Sequence, residues 1–169
     1  MKKFTVIFTA LVLAACSSGT HTNTQTGSAP ARAKVGAQAP AFDEATVEGT
    51  TLSMAQLRGK PVYLNFFATW CPPCNEEAPD VSAVQQQFKG DGLQVVGVDI
   101  LEDKSKAQKF VDQHRLSYPA VVDSGTLRDA YNINGMPVHV FIDRTGVVRK
   151  IEIGELSKAE MIADVKAIL

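Results

Sequence analysis

The chain of 169 residues has room for one domain and a modest appendage. It is 45% hydrophobic and 21% charged with a formal net charge of −1, which removes any electrostatic reason to expect nucleic acid as a partner. No run reaches the roughly 18 apolar residues of a membrane-spanning helix. Met1 to Lys3 carry two positive charges, and Phe4 to Ala15 form a short, almost wholly apolar stretch. This is the layout of an export signal, to be set aside before any fold is considered. Residues 1–15 are therefore expected to be a signal peptide.

The signal ends in Leu13-Ala14-Ala15-Cys16, which resembles a bacterial lipobox. The resemblance implies cleavage before Cys16 and a lipid on that cysteine, anchoring the exported protein to a membrane. Each buried methylene contributes ~0.8 kcal/mol, and two or more chains hold a protein there stably. Residues 16–34 are rich in Ser, Thr, Gly, Asn, Gln and Ala and lack apolar periodicity, the composition of a flexible tether. His21 lies within it without a second ligand nearby. The folded domain is expected over residues 35–169.

Phe42 to Leu52, with Glu48-Gly49 as turn, predicts a short hairpin. Ser53 to Arg58 reads as one or two helical turns, stopped by Gly59 and Pro61. Val62 to Phe67 is a nearly continuous apolar run, as for a strand buried on both faces. In residues 72–88, Val81, Val84 and Phe88 mark one face of a helix that Pro79 should kink. Leu93 to Ile100 is a second buried strand, followed by a helical face at Ala107, Phe110, Val111 and His114. Pro119 to Val122 predicts a short strand, and Thr126 to Tyr131 a short helix. Val138 to Ile142 and Val147 to Ile153 are strands joined by the turn Asp143-Arg144-Thr145-Gly146. Ser157 and Glu160 stand at capping-box spacing ahead of a last helix, with Met161, Ile162, Val165, Ile168 and Leu169 as its buried stripe. The pattern is α/β, helices around a mixed central sheet.

Of three cysteines, Cys71 and Cys74 stand at Cys-x-x-Cys spacing, which suits a redox couple or half of a metal site. Their place, where a buried strand hands over to a helix, favours redox chemistry. The first helical turn leaves backbone N–H groups unpaired and presents about half a positive charge. A thiolate at Cys71 is stabilised there and becomes nucleophilic near neutral pH. Pro72 and Pro73 fit this opening turn, where a missing N–H costs little. Cys71 is expected to be the exposed attacker and Cys74 the shielded resolver. A purely static disulfide would close a two-residue loop for little entropic benefit. Zinc normally wants four ligands, and the three histidines are scattered, so no metal is expected. A peroxidase would carry Thr three residues before the cysteine, where Ala68 stands.

The stretch Asn65 to Cys74, with Pro79 five residues on, resembles the TlpA/ResA branch of thioredoxin-like proteins. So do Val35 to Phe42, Tyr118 to Asp123 and Tyr131 to Asp143. The resemblance implies a thioredoxin fold with an N-terminal hairpin and a central strand-helix insertion, around residues 102–123. It implies that Gly135-Met136-Pro137 is a cis-proline loop beside the cysteines, presenting the Met136 backbone to a substrate chain. Trp70 is implied to shape and shield the site. Glu77, one helical turn below Cys74, matches a family glutamate near the active site and would manage the proton of Cys74, unless it only complements the helix dipole. Glu76 reads as solvated. Asn65 replaces the buried aspartate of cytosolic thioredoxins. The usual Pro-Thr-Thr is Pro137-Val138-His139 here, and His139 reads as a packed or solvated strand residue or as a group that titrates with the site.

The activity so implied is thiol-disulfide exchange with no cofactor beyond the Cys71–Cys74 disulfide. A reductase is expected, acting on disulfides in exported proteins or apocytochrome c and recharged by a membrane thiol donor. The alternatives are a disulfide oxidase or isomerase, or a copper-delivering module using Cys71, Cys74 and His139 or Met136.

Overall fold

The computed structural model describes residues 32–169. The proposed signal peptide, Cys16, His21 and most of the tether lie outside the described residues. The Ala33 N–H already donates to the Ala130 carbonyl, two residues before the domain's expected start.

Strands β1 (Asp43–Ala45) and β2 (Thr51–Ser53) form the expected antiparallel hairpin. Its turn holds Gly49 at φ +89°, a conformation that glycine adopts without a Cβ penalty. A single 3-10 turn, Met54–Leu57, follows, opened by a Ser53/Gln56 capping box. Next come β3 (Val62–Phe67), α1 (Pro72–Phe88), β4 (Gln94–Asp99), α2 (Lys104–His114), β5 (Ala120–Val122) and α3 (Thr126–Ala130). The chain ends with β6 (Val138–Ile142), β7 (Val148–Ile153) and α4 (Lys158–Lys166). The central sheet has the order β5-β4-β3-β6-β7, with β5, β4 and β3 parallel and β6 and β7 antiparallel. This is the mixed sheet of a thioredoxin fold, and the expected insertion supplies α2 and β5.

Every residue of β3 is buried, because helices or loops cover both faces of the sheet's middle strand. One face packs Tyr63 and Phe141 against Val81, Val84 and Phe88 of α1 and Met161 and Val165 of α4. The other packs Leu64, Phe66, Val96 and Val98 against Phe42, Leu127 and Tyr131. At the end of β3, Phe67 stacks on Phe110 of α2 with ring centroids 4.4 Å apart. Gly97 on β4 lets this happen: a Cβ there would meet the Phe67 ring at 3.0 Å and the Tyr118 ring at 3.2 Å.

Helix α1 runs through Pro79, where the proline removes one helical donor without ending the helix. One expectation needs correction. In α4 the buried stripe ends at Ile168. Leu169 is exposed because the helix has already closed at Lys166.

Candidate functional site

The site forms where three backbone ends converge. β3 ends at Phe67, four residues before Cys71. β6 runs antiparallel to it with Phe66 opposite Val138, so Met136-Pro137 lies beside the same edge. The Met136-Pro137 peptide is cis. β4 ends at Asp99, opposite Phe67, and brings the segment 99–103 alongside.

Cys71 and Cys74 are joined in a disulfide, with Cα atoms 5.3 Å apart. Cys71 is the N-cap of α1. Its Sγ accepts the Cys74 N–H at 3.3 Å, and the two prolines occupy the first two helical positions. This satisfies one of the helix's free donors while placing sulfur at the positive end of the dipole.

The expected exposure of Cys71 is not observed: in the disulfide it is 3% accessible, against 2% for Cys74. Both sulfurs sit in a cluster with Phe67, Ala68, Ala78 and Phe110, against which the half-buried Met136 packs. Trp70, next to Cys71 in the chain, is 63% exposed.

Two devices hold the turn that carries Cys71, and neither was anticipated from the sequence. Asn75 donates through Nδ2 to the Thr69 carbonyl at 3.0 Å and to the Cys71 carbonyl at 2.8 Å. Its Oδ1 accepts from His114 Nε2 at 3.0 Å. His114 packs on Phe110, and burial pushes the imidazole below its ordinary pKa. From the other side, Glu102 accepts the Thr69 N–H at 2.5 Å and the Thr69 hydroxyl at 2.8 Å. Behind Glu102 lies Asp99, fully buried, with neither carboxylate oxygen partnered by a conventional donor. Burial, then the neighbouring Glu102, push the Asp99 carboxyl up to about 8. A protonated Asp99 donates to Glu102, which resolves the otherwise costly meeting of two buried acids. The legible signal was an aspartate closing an otherwise apolar strand run.

Glu77 is buried, 3% accessible. It accepts from Asn65 Nδ2 at 2.9 Å, faces the Leu156 N–H at 3.5 Å and lies 3.4 Å from His139 Nε2. His139 is wholly buried and turned into the core beside Glu77. Glu76 is exposed, as expected. Among the described residues no group of three or more His, Cys, Asp or Glu side chains is placed to hold a metal ion. No helix among them is long and apolar enough to cross a membrane. A cavity of about 820 Å³ lies away from the disulfide, around Phe42, Leu57, Val62 and Ile142.

The family model described as "AhpC/TSA family" matches residues 35–151. The thiol-disulfide oxidoreductase ResA of Halalkalibacterium halodurans is 35% identical over 127 residues, covering 75% of this chain and 72% of that protein. The ResA of Bacillus thuringiensis is 30% identical over 171 aligned positions and covers 99% of both chains. A thiol:disulfide interchange protein of the thioredoxin family from Chlorobium tepidum superposes with a TM-score of 0.72. Its sequence identity is 33%, over 83% of this chain and 97% of that one. With a disulfide at the head of α1 and a cis-proline beside it, this chain belongs to the AhpC/TSA family and, within it, to the ResA-like thiol-disulfide oxidoreductases.

Proposed function

We propose that the protein is a lipid-anchored, extracytoplasmic reductase of disulfides in exported proteins, apocytochrome c among the candidate substrates. In the reduced form, the Cys71 thiolate attacks one sulfur of the substrate disulfide and releases the other as a thiolate. Cys74 then gives up its proton and attacks the Cys71 sulfur, which frees the substrate's second sulfur. The protein is left with its own disulfide and the substrate with two thiols. A membrane dithiol donor reverses the change by exchange at Cys71 and regenerates the reduced pair.

The observation that carries this reading is the asymmetry around the two sulfurs. Cys71 caps the helix, while Cys74 sits one turn above a buried carboxyl group. The helix end favours a thiolate at Cys71. A carboxylate near Cys74 disfavours a second one, since like charges repel. Couples whose reduced form is strongly stabilised are oxidants, so withholding that stabilisation supports electron donation. The cis-proline loop would present the Met136 backbone to the substrate chain, with Trp70 beside it. The copper reading loses one ligand, because His139 is engaged in the core.

The reduction potential of the Cys71–Cys74 couple tests the direction. A reductase is expected nearer the roughly −270 mV of thioredoxin, whereas a value near −120 mV would make the protein an oxidant.

A further inference from the structure

Exchange at the disulfide, as written above, makes no use of the two acids beside the Cys71 turn, Asp99 and Glu102. Asp99 stands opposite Phe67 in the parallel pair of β4 and β3, so its side chain shares the face of the sheet on which Phe67 packs with both cysteines. The Ile100 N–H donates to the Phe67 carbonyl, and Leu101 then takes φ +65°, a left-handed conformation uncommon for a leucine. Leu101 is 64% exposed, so its own burial does not hold it there. The hold comes from its neighbours, Ile100 on Phe67 and Glu102 on Thr69. Both Glu102 oxygens are taken by Thr69, the N–H at 2.5 Å and the hydroxyl at 2.8 Å.

Asp99 is fully buried and has no donor of its own; the group it meets is Glu102. Two adjacent carboxyls out of water do not both carry charge. A proton on Asp99, donated to Glu102, is what lets Glu102 stay on Thr69. The surrounding charges do not replace that proton. From α2, Lys106 Nζ lies 3.9 Å from Glu102 Oε1, but more than half of the lysine side chain is in water. Asp103 is engaged in capping that helix through the Ser105 and Lys106 N–H groups. After β5, the Asp123 N–H donates to the Asp99 carbonyl, while its carboxylate accepts from Leu127 and Arg128 at the start of α3. From α1 and the end of α2, Asn75 and His114 face each other and the Thr69 and Cys71 carbonyls.

We propose that Asp99 is a positioning residue for Cys71: the proton it shares with Glu102 keeps Glu102 on Thr69, and loss of that proton sets two carboxylates against each other, frees Thr69 and slows attack by Cys71. The inference rests on Cys71 as the attacking sulfur and is independent of the direction of exchange. Asp99 takes no part in making or breaking S–S bonds, and its proton stays on the acid pair throughout. Thr69 precedes Cys71 by two residues, and Asn75 still holds the Thr69 and Cys71 carbonyls from the other side. Opening the clamp therefore loosens the turn without dismantling it, and a slower reaction is expected, not an abolished one.

The test uses the full chain carrying Cys74→Ser, reduced, with bis(2-hydroxyethyl) disulfide as an uncharged probe. The rate of mixed-disulfide formation on Cys71 is read by mass spectrometry from pH 5 to 10. The clamp predicts a rate that climbs as Cys71 ionises, then falls by about threefold or more above about pH 8, where Asp99 gives up its proton. With Asp99→Asn added, the side chain stays neutral and still donates to Glu102, and the rate is expected to level off instead. A level profile in the protein that keeps Asp99, or two profiles that fall together, would overturn the clamp. In ¹⁵N-labelled protein the Thr69 amide resonance is expected to shift over the same pH range when Asp99 is present and to stay in place in Asp99→Asn. A Thr69 amide indifferent to pH in both would overturn the clamp whatever the rates. Absence of any mixed disulfide on Cys71 at every pH would remove Cys71 as the attacking sulfur, and the clamp's part in the reaction with it.

Discussion

Replacing Asp99 with asparagine tests the buried acid pair that supports the Cys71 turn. The unfolded carboxyl loses its proton near pH 4, whereas in the folded protein it holds the proton up to about 8. Between those values the folded state binds a proton that the unfolded state does not. Stability is therefore fully present below about pH 4 and is withdrawn as pH rises toward 8, at up to ~1.4 kcal/mol per unit. From pH 5 to 8 that amounts to as much as ~4 kcal/mol, and relaxation around an ionised Asp99 brings the expected loss to about 1–4 kcal/mol. The Asp99→Asn side chain has nearly the same shape, stays neutral, and donates to Glu102 as the protonated acid does. Urea unfolding at intervals from pH 5 to 9 is expected to show a falling curve for the wild type and a flatter one for Asp99→Asn. The variant should be the more stable protein at pH 8. Parallel curves would refute the assignment, because some other group would then own the pH dependence.

Three further outcomes are expected. Glu77→Gln should slow the resolving step and change its pH dependence while thermal melts stay close to wild type; stopped-flow exchange across pH checks this, and a small stability loss of ~0.3–1 kcal/mol with untouched kinetics would leave Glu77 a helix-end charge. Cys16→Ser should abolish fatty-acid labelling and release the protein from the membrane fraction; unchanged labelling would contradict the lipid anchor. Phe141→Ala, which opens a cavity beneath Tyr63 where the two rings stack at 4.6 Å, should cost about 3–5 kcal/mol in denaturant unfolding.

Much of the fold was legible because its signals are local. The apolar run Val62–Phe67 and the Ser157/Glu160 capping box each specify an element from neighbouring residues alone, and the structure has both. The Cys71–Cys74 couple was legible from spacing and strand-helix succession, and the cis-proline at Pro137 from the family resemblance. What was not legible depends on residues far apart in the chain. The Glu102–Thr69 clamp joins positions 33 residues apart, and the Asn75–His114 contact joins positions 39 apart. His139 had an ambiguous strand position until pairing with β3 set its ring beside Tyr63 and Asn65. The burial of Cys71 likewise follows from its place in a tertiary cluster with Phe67, Ala107 and Phe110, which no local pattern encodes.

The most direct test of disulfide exchange through this site is trapping in the two single-cysteine variants. Cys74→Ser, reduced and offered a disulfide-bonded exported protein, should accumulate a long-lived mixed disulfide through Cys71 that mass spectrometry locates. Cys71→Ser should accumulate none, because on the proposed assignment Cys74 only resolves. Equal trapping by both variants, or trapping by Cys71→Ser alone, would contradict the assignment of Cys71 as the attacking sulfur.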